Sequence, residues 1–399
     1  MPPLYPIPVY GRVEPLELGV ALLPLRSEDP FMSSPSREPI RHPLVIGGTG
    51  FIGLNIAQAL QERGLPVRIT RRESSVTFLP RKLKLSMVTA TLEDQGSLEA
   101  AMEGCDVVFF TAGHYPRYSV DCAAQVALAV RGVRAALAAA KRARVRRFVF
   151  TSSITTIGPA PLGRAATEQD PWPEAPDSVY FAVKLAMERE VVRAFAEGLP
   201  GVILCPAGCL GRYDIKAGTG FFVVALAHGA LPYAVDGLLD VVSVEDVAAA
   251  HLLAAEQGTL GQRYILSGHA VQAAALIAGA AARIGVAPPA RCLDLPTALA
   301  LNRDKELACA RERRGRPDIP VEFLDVLRFG QRYDCSLAER ELEYCRRPLE
   351  EVLDRACAWF LQAGYLGPRK HRDQDRPDRP DRPDRPDRPD RPDRKETQP

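Results

Sequence analysis

The sequence predicts an α/β fold, a doubly wound parallel sheet followed by a smaller C-terminal lobe. Three observations carry that expectation. From residue 44 onward short apolar runs alternate with helical patterns, a glycine turn joins the first run to the first helix, and alanine-rich stretches of helical period separate several later runs. Leu44–Ile46 reads as the first strand. The helix after it runs from Phe51 to Arg63, where Ile52, Ile56 and Leu60 recur at one-turn spacing and Gly64 suits the stop. Val67–Thr70, Ser86–Thr89, Val107–Phe110, Arg147–Phe150 and Val202–Cys205 follow as strands, with helices over 121–143 and 181–197. Beyond residue 206 strands grow sparse, and helices over 220–229, 245–257 and 271–285 with a strand at Arg263–Leu266 suggest the smaller lobe. The expected organisation is 44–205 for the sheet domain and 206–367 mainly for the lobe, some segments of which return to the sheet domain.

The ends of the chain have a different composition. Residues 1–43 hold ten of the 35 prolines and no sustained period, which reads as an irregular extension. Asp375–Arg394 repeats Asp-Arg-Pro with seven Asp, seven Arg and six Pro, so that proline removes backbone donors while alternating charge keeps the segment solvated. Residues 368–399 are therefore expected to be a disordered tail, a solvated spacer rather than part of a core.

The overall balance excludes several classes. With 399 residues and 46% hydrophobic content the chain can bury a sizeable core, and 51 basic against 49 acidic residues give no global reason for nucleic-acid binding. No long uninterrupted apolar run occurs; the best, Phe221–Val235, is broken by His228, Gly229 and Pro232, so no membrane span is expected. Arg12, Glu14, Glu17 and five prolines in the first twenty residues do not make a signal peptide. Nine cysteines, an odd number without a CxxC pair, fit a reducing cytoplasm; Cys205 and Cys209 read as packed thiols. His228 and His251 lack metal-ligand spacing with any partner, so no metal is expected.

The turn Gly47-Gly48-Thr49-Gly50-Phe51-Ile52-Gly53 stands between a first strand and a first helix. Glycines at 47, 50 and 53 let the backbone approach a pyrophosphate, and the helix N-terminus supplies N–H groups and positive potential. At the end of the second strand, where a carboxylate usually holds the ribose of NAD, the chain reads Thr70-Arg71-Arg72. Arg71 and Arg72 suit a 2′-phosphate and point to NADP, and Glu73 after them leaves NAD open.

After the fifth strand comes Thr151-Ser152-Ser153, and 27 residues after Ser153 comes Tyr180-Phe181-Ala182-Val183-Lys184. Tyrosine and lysine at this spacing share one helix face, so an ammonium there is expected to lower a phenol pKa that is otherwise about 10. The tyrosine could then exchange a proton with a substrate hydroxyl or carbonyl, with a strand-end serine holding the same oxygen.

The ordered set GGTGFIG, GCDVVFFTAG, RRFVFTSSITTIG, YFAVK and DVVSVEDVAAAHLLA resembles the extended short-chain dehydrogenase/reductase superfamily over most of residues 44–367. LPYAVDGLLDVVSVEDVAAAHLLA and GQRYILSG are similar to its dihydroflavonol-4-reductase-like group, including hopanoid-associated sugar epimerase-type proteins. The resemblance implies a Rossmann-like domain at 44–205 and a substrate-binding lobe after it. It makes Ser153, Tyr180 and Lys184 the catalytic triad, with Tyr180 as acid/base and Lys184 on the nicotinamide ribose. It places Thr111, Ala112, Gly113 and Pro206 beside the cofactor, and Thr91 and Leu92 on its adenine side, with Thr91 where an Asp is usual. Two further departures concern proton relay: Ala129 replaces a frequent Asn, and Val183 a frequent Ser before the lysine. Relatives often dimerise, which implies a homodimer.

The implied reaction is hydride transfer between a nicotinamide and a carbonyl or secondary alcohol. Nucleotide-sugar epimerase or 3β-hydroxysteroid dehydrogenase-like chemistry is the alternative, and a cofactor-binding sensor without turnover the non-enzymatic one. Ser153-Ile154-Thr155 offers no carboxylates for dehydration. His114, Tyr115, Arg117 and Tyr118 are expected to border a small-molecule substrate. Tyr213, Phe221, Phe222 and Tyr233 suit a flat or lipid-like ligand but fit core packing better. Asp246 reads as structural.

Overall fold

A computed structural model describes residues 37–367; most of the proline-rich extension and the whole Asp-Arg-Pro tail lie outside the described residues. The first half alternates strand and helix: β1 (Pro43–Ile46), α1 (Phe51–Glu62), β2 (Arg68–Arg71), α2 (Phe78–Lys82), β3 (Ser86–Thr89), α3 (Gln95–Met102), β4 (Val107–Phe110), α4 (Cys122–Ala143), β5 (Arg147–Thr151), α5 (Val179–Ala196) and β6 (Gly201–Pro206). The second half contains β7 (Gly208–Leu210), α6 (Phe221–Ala227), β8 (Ala234–Val235), β9 (Leu238–Ser243), α7 (Val244–Gln257), β10 (Arg263–Leu266), β11 (His269–Gln272), α8 (Ala273–Ile284), β12 (Cys292–Leu293), α9 (Leu295–Glu312), α10 (Val321–Arg328), α11 (Ser336–Leu342) and α12 (Leu349–Gln362).

Seven parallel strands form the main sheet in the order β3-β2-β1-β4-β5-β6-β10. β1, β4, β5 and β6 are buried at every position, which is why they read as unbroken apolar runs rather than alternating ones. β3, at the edge, is half-exposed throughout. The strand order reverses direction between β1 and β4, and at such a switch point the loops diverge and leave a crevice at the carboxyl edge.

Helix starts follow local chemistry. Asp94 caps α3 by accepting from the Gly96 amide at 3.0 Å, Ser243 caps α7 from Glu245 at 3.2 Å, and Asp294 caps α9 from Thr297 at 3.0 Å. α1 has no side-chain cap; Gly50 occupies its N-cap. At 22 residues, α4 is long and apolar enough to cross a membrane by length and composition. The search for uninterrupted apolar runs passes over it because Arg131 and Arg134 divide it. In the structure it lies against α3 and α5, burying Ala129, Gly132, Val133, Ala136, Leu137, Ala139 and Ala140.

Two apolar cores result. The larger underlies the main sheet; the smaller joins α6, α8, α9, α10 and α12 to the strands of the C-terminal half. β10 and α7, which the sequence groups with the lobe, lie in the larger core, β10 pairing with β6 and α7 lying against α1. Strands are also less sparse after residue 206 than the sequence suggests. β11, β9 and β7 form a three-stranded sheet and β12 pairs with β8, and the first residues of the expected helix 271–285 belong to β11.

Candidate active site

The sequence-selected groups converge on the carboxyl edge of the main sheet. The glycine turn leaves β1, Arg71 ends β2, Thr111-Ala112-Gly113 follows β4, Ser153 follows β5, and Pro206 ends β6. The turn is closed by Gly50 N–H donating to the Gly47 carbonyl at 2.9 Å, with Gly47 at φ +83°. A β-carbon on Gly53 would lie 2.4 Å from the Gly47 oxygen and 2.8 Å from Thr111 Oγ1. One on Gly47 would lie 2.8 Å from the Ala112 nitrogen. The three segments are thus packed backbone to backbone, and an uncapped helix start opens beside them. This cradle fits a dinucleotide pyrophosphate. Thr111 bonds back to the Ile46 carbonyl through both its amide and its hydroxyl, at 2.9 Å each, which fixes the β4 loop against the turn.

Farther along the crevice, Leu92 packs against Gly132 of α4, where a β-carbon would stand 3.1 Å away. Thr91 is occupied locally, its amide on Ser97 and its hydroxyl on Glu93. Arg71 is half-buried and Arg72 exposed; among the described residues neither side chain forms an ion pair or hydrogen bond. Glu73 is exposed beyond them.

Tyr180 opens the first turn of α5 and Lys184 follows one turn later. Burial raises the Tyr180 pKa, and although the Tyr115 hydroxyl at 2.9 Å and the nearby Ser153 hydroxyl pull it down, the phenol ends above its ordinary value. The expected lowering by Lys184 is not realised. Lys184 Nζ stands instead over the ring of Tyr115, 5.5 Å from its centroid. The lysine is 3% exposed, and burial brings its pKa down to about 8 against the opposing pull of nearby groups, among them the Glu188 carboxylate. Tyr180 is therefore held as a neutral phenol beside a lysine poised between its charged and neutral forms.

Second-layer groups fix these side chains. Ser153 Oγ accepts from the Thr155 amide at 3.2 Å, and the Thr156 hydroxyl, 2.8 Å from the Ser153 carbonyl, shares its single proton between that oxygen and Glu188. Glu188, the next turn of α5 after Lys184, accepts from Ser152 and, at 2.7 Å, from Thr156, and pairs with Arg263 of β10 at 2.9 Å. Thr151 donates to the buried His251, whose other ring nitrogen faces the Val247 carbonyl at 2.7 Å. Trp172 donates to the Thr155 carbonyl at 2.9 Å and meets Phe181 and Phe329 edge-on, walling the cleft next to Tyr180.

Of the residues expected near substrate, Tyr115 reaches Tyr180 at 2.9 Å between hydroxyls. His114 bonds Gln125 at 2.7 Å, Tyr118 bonds the Gly315 carbonyl at 3.3 Å, and Arg117 stands over the Tyr118 ring. Phe222 and Tyr233 are buried in the second core, Phe221 packs on Phe323, and Tyr213 donates to Gln58 at 2.6 Å. Asp246 pairs with Arg347, and His228 bonds the Tyr365 carbonyl at 2.9 Å. Two kinds of residue escaped the sequence reading. Glu188 was signalled by its one-turn spacing from Lys184, whereas Glu306 of α9 and Glu322 of α10, which act on the cleft from the lobe, carry no local signal. Glu322 raises the pKa of both Tyr115 and Tyr180, and burial pushes Glu306 up to about 7.

Comparison with known proteins shows the family and the fold. A sequence model of the NAD dependent epimerase/dehydratase family matches residues 43–267. A putative dihydroflavonol 4-reductase of Synechocystis is 33% identical over 331 residues, 81% of this chain and 95% of that protein. Sterol demethylase protein B of Methylococcus capsulatus is 30% identical, over 81% of this chain and 99% of its own. The crystal structure of a nucleoside-diphosphate-sugar epimerase from Pseudomonas aeruginosa superposes with a TM-score of 0.68 at 27% identity, covering 82% of this chain and 99% of that one.

Proposed function

Because this chain belongs to the NAD dependent epimerase/dehydratase family, within the extended short-chain dehydrogenases/reductases, we propose that it is an NADP-dependent reductase that interconverts a carbonyl and a secondary alcohol. The observation that carries the reading is the Tyr180 phenol, set near the Ser153 hydroxyl at the carboxyl edge of β5 with Lys184 buried beside it. The nicotinamide, when bound, supplies the hydride for reduction and accepts it in the reverse direction.

The chain's own residues do the rest. Gly47, Gly50 and Gly53, with the amides of Thr49, Phe51 and Ile52, hold the pyrophosphate, while Thr91 and Leu92 flank the adenine. Arg71 and Arg72, at the end of β2 and without a carboxylate partner among the described residues, take the 2′-phosphate. Thr111, Ala112, Gly113 and Pro206 line the nicotinamide side, and Lys184 holds its ribose. Ser153 and Tyr180 together grip the substrate oxygen. As hydride reaches the carbonyl carbon, the neutral Tyr180 gives its proton to the oxygen, so the alcohol gains one hydride and one proton, and solvent restores the phenol. A phenol held protonated by burial is the form suited to that direction.

Nicotinamide fluorescence titration with NADPH and NADH tests the cofactor, followed by turnover of ketones and UDP-sugars. Tyr180→Phe should keep NADPH binding and lose about 10²–10⁴-fold in kcat/KM. Full activity in that variant would refute the reading, and turnover of the sugars alone would replace reductase by epimerase.

A further inference from the structure

The loop after β4 brings a second phenol into the site. The hydroxyls of Tyr115 and Tyr180 are 2.9 Å apart, and their rings stack at 5.1 Å with planes 29° apart. Lys184 Nζ faces the same Tyr115 ring. Gly113 makes the approach feasible, since a β-carbon there would stand 3.1 Å from Lys184 Nζ and 3.3 Å from Tyr115 Cε2. The loop is pinned on either side of Tyr115. His114 bonds Gln125 before it, while after it Tyr118 bonds the Gly315 carbonyl. Tyr115 itself is 62% exposed, so the protein holds this ring through the groups of the site rather than by enclosing it.

A proton-transferring phenol must hydrogen-bond the oxygen it serves. In this structure the oxygen on Tyr180 includes that of Tyr115. We propose that Tyr115 is an internal competitor for the substrate seat, and that the substrates able to displace it are ketones whose reacting carbonyl is conjugated to a flat, unsaturated ring. The proposal rests on the reductase reading and names its substrate class. Displacing Tyr115 forfeits a hydroxyl contact, a stacked face on Tyr180 and a ring–ammonium contact with Lys184. A small aliphatic ketone returns the first alone. A sugar returns the first and offers no π face. An aryl ketone returns the hydrogen bond and a stacking face together.

The test uses the full chain, Tyr115→Ala and Tyr115→Phe, titrated with p-cresol, which is the tyrosine side chain as a free molecule, and with its saturated counterpart 4-methylcyclohexanol. Tyr115→Ala should bind p-cresol roughly ten-fold or more tighter than the unmodified chain, and bind 4-methylcyclohexanol about ten-fold more weakly than p-cresol. Tyr115→Phe keeps the ring and frees the Tyr180 hydroxyl, so KM for acetophenone should fall about three-fold or more. Equal affinity for the two probes, or no gain for p-cresol, overturns the proposal. So does a loss of kcat in Tyr115→Phe, which would make the phenol a proton-transfer group, or a change in NADPH affinity in place of p-cresol affinity, which would put the ring in the cofactor's seat. Failure of the unmodified chain to bind NADPH would instead defeat the reductase reading itself.

Discussion

Glu188 receives Arg263 at 2.9 Å, one turn of α5 beyond Lys184, with Glu188 buried and Arg263 largely so. The pair ties the helix that carries Tyr180 and Lys184 to β10 at the edge of the sheet. Removing one member leaves a charge without its partner in a place water does not reach, a change that typically costs 3–5 kcal/mol. Arg263→Leu should therefore lower stability by about that amount, read as a reduced midpoint in urea unfolding, and Glu188→Leu added to it should restore part of the loss. A double variant no more stable than Arg263→Leu would show that the pair does not act as a unit.

The same carboxylate also acts on Lys184. Burial lowers the lysine pKa to about 8, and Glu188 opposes that shift. Below about 8 the ammonium predominates, and as pH rises through that value the charge is lost. If Lys184 holds the cofactor ribose as a cation, kcat/KM for NADPH falls on the alkaline side with an apparent pKa near that of the lysine. In Glu188→Gln the favourable charge is gone, the lysine pKa drops further, and the alkaline limb moves to lower pH. A pH–rate profile of the two proteins measures the displacement, and an unmoved limb would dissociate Glu188 from the lysine.

Two glycines separate crowding from backbone strain. Gly53→Ala places a methyl 2.4 Å from the Gly47 carbonyl oxygen, which is backbone and cannot swing aside, so the turn must deform. Its affinity for NADPH should fall by roughly ten-fold or more, since the cradle loses its shape at the pyrophosphate. Gly64→Ala meets nothing within 4 Å but sits at φ +74°, so it should cost about 1–2 kcal/mol in stability and leave NADPH binding intact. Isothermal titration and urea unfolding of both variants distinguish the two effects.

The contrast between what could and could not be foreseen follows from how local each feature is. β1, the glycine turn and α1 are consecutive, and their strand, tight turn and helix spell the cradle in a dozen neighbouring residues. Ser153, Tyr180 and Lys184 were legible because a strand end and a one-turn spacing place them without reference to the rest. β9 was not. Its run Leu238–Ser243 is interrupted by Asp240, a buried carboxylate that accepts from Ser267 at 2.7 Å and from the Gly268 amide at 2.9 Å, partners far along the chain. β8 and β12 are only two residues each and pair across the lobe. The expected depression of the Tyr180 pKa failed for a related reason. Spacing on a helix tells which side chains share a face, but burial by distant loops sets the balance, and Tyr115 places its ring beneath the ammonium.

On the proposed reading, Arg71 and Arg72 set the choice of cofactor. Neither is engaged by a carboxylate among the described residues, so both are available to a 2′-phosphate. Charge-assisted hydrogen bonds contribute about 1.5–3 kcal/mol, so Arg71→Ala with Arg72→Ala should weaken NADPH by roughly ten- to a hundred-fold. NADH, which lacks that phosphate, should bind as before. Equal losses for both cofactors would assign the arginines to the fold or to the shared diphosphate.

His251 supplies a pH dependence of stability that is separate from activity. The ring is fully buried, with Nδ1–H donating to the Val247 carbonyl and Nε2 accepting from the Thr151 hydroxyl at 2.8 Å. Both nitrogens are satisfied only in the neutral tautomer, and burial lowers the pKa from 6.5 to about 4. The unfolded chain therefore binds the proton more readily than the folded one. The stabilising contribution is fully present above the unfolded value near 6.5 and is lost as pH falls from there toward about 4. The difference amounts to about 3 kcal/mol between those limits. Urea unfolding measured at neutral and mildly acidic pH should show that loss in the unmodified protein. His251→Gln, which has no titrating ring, should be less stable at neutral pH and show a shallower decline on acidification. An undiminished slope in the variant would assign the acid sensitivity to the buried carboxylates instead.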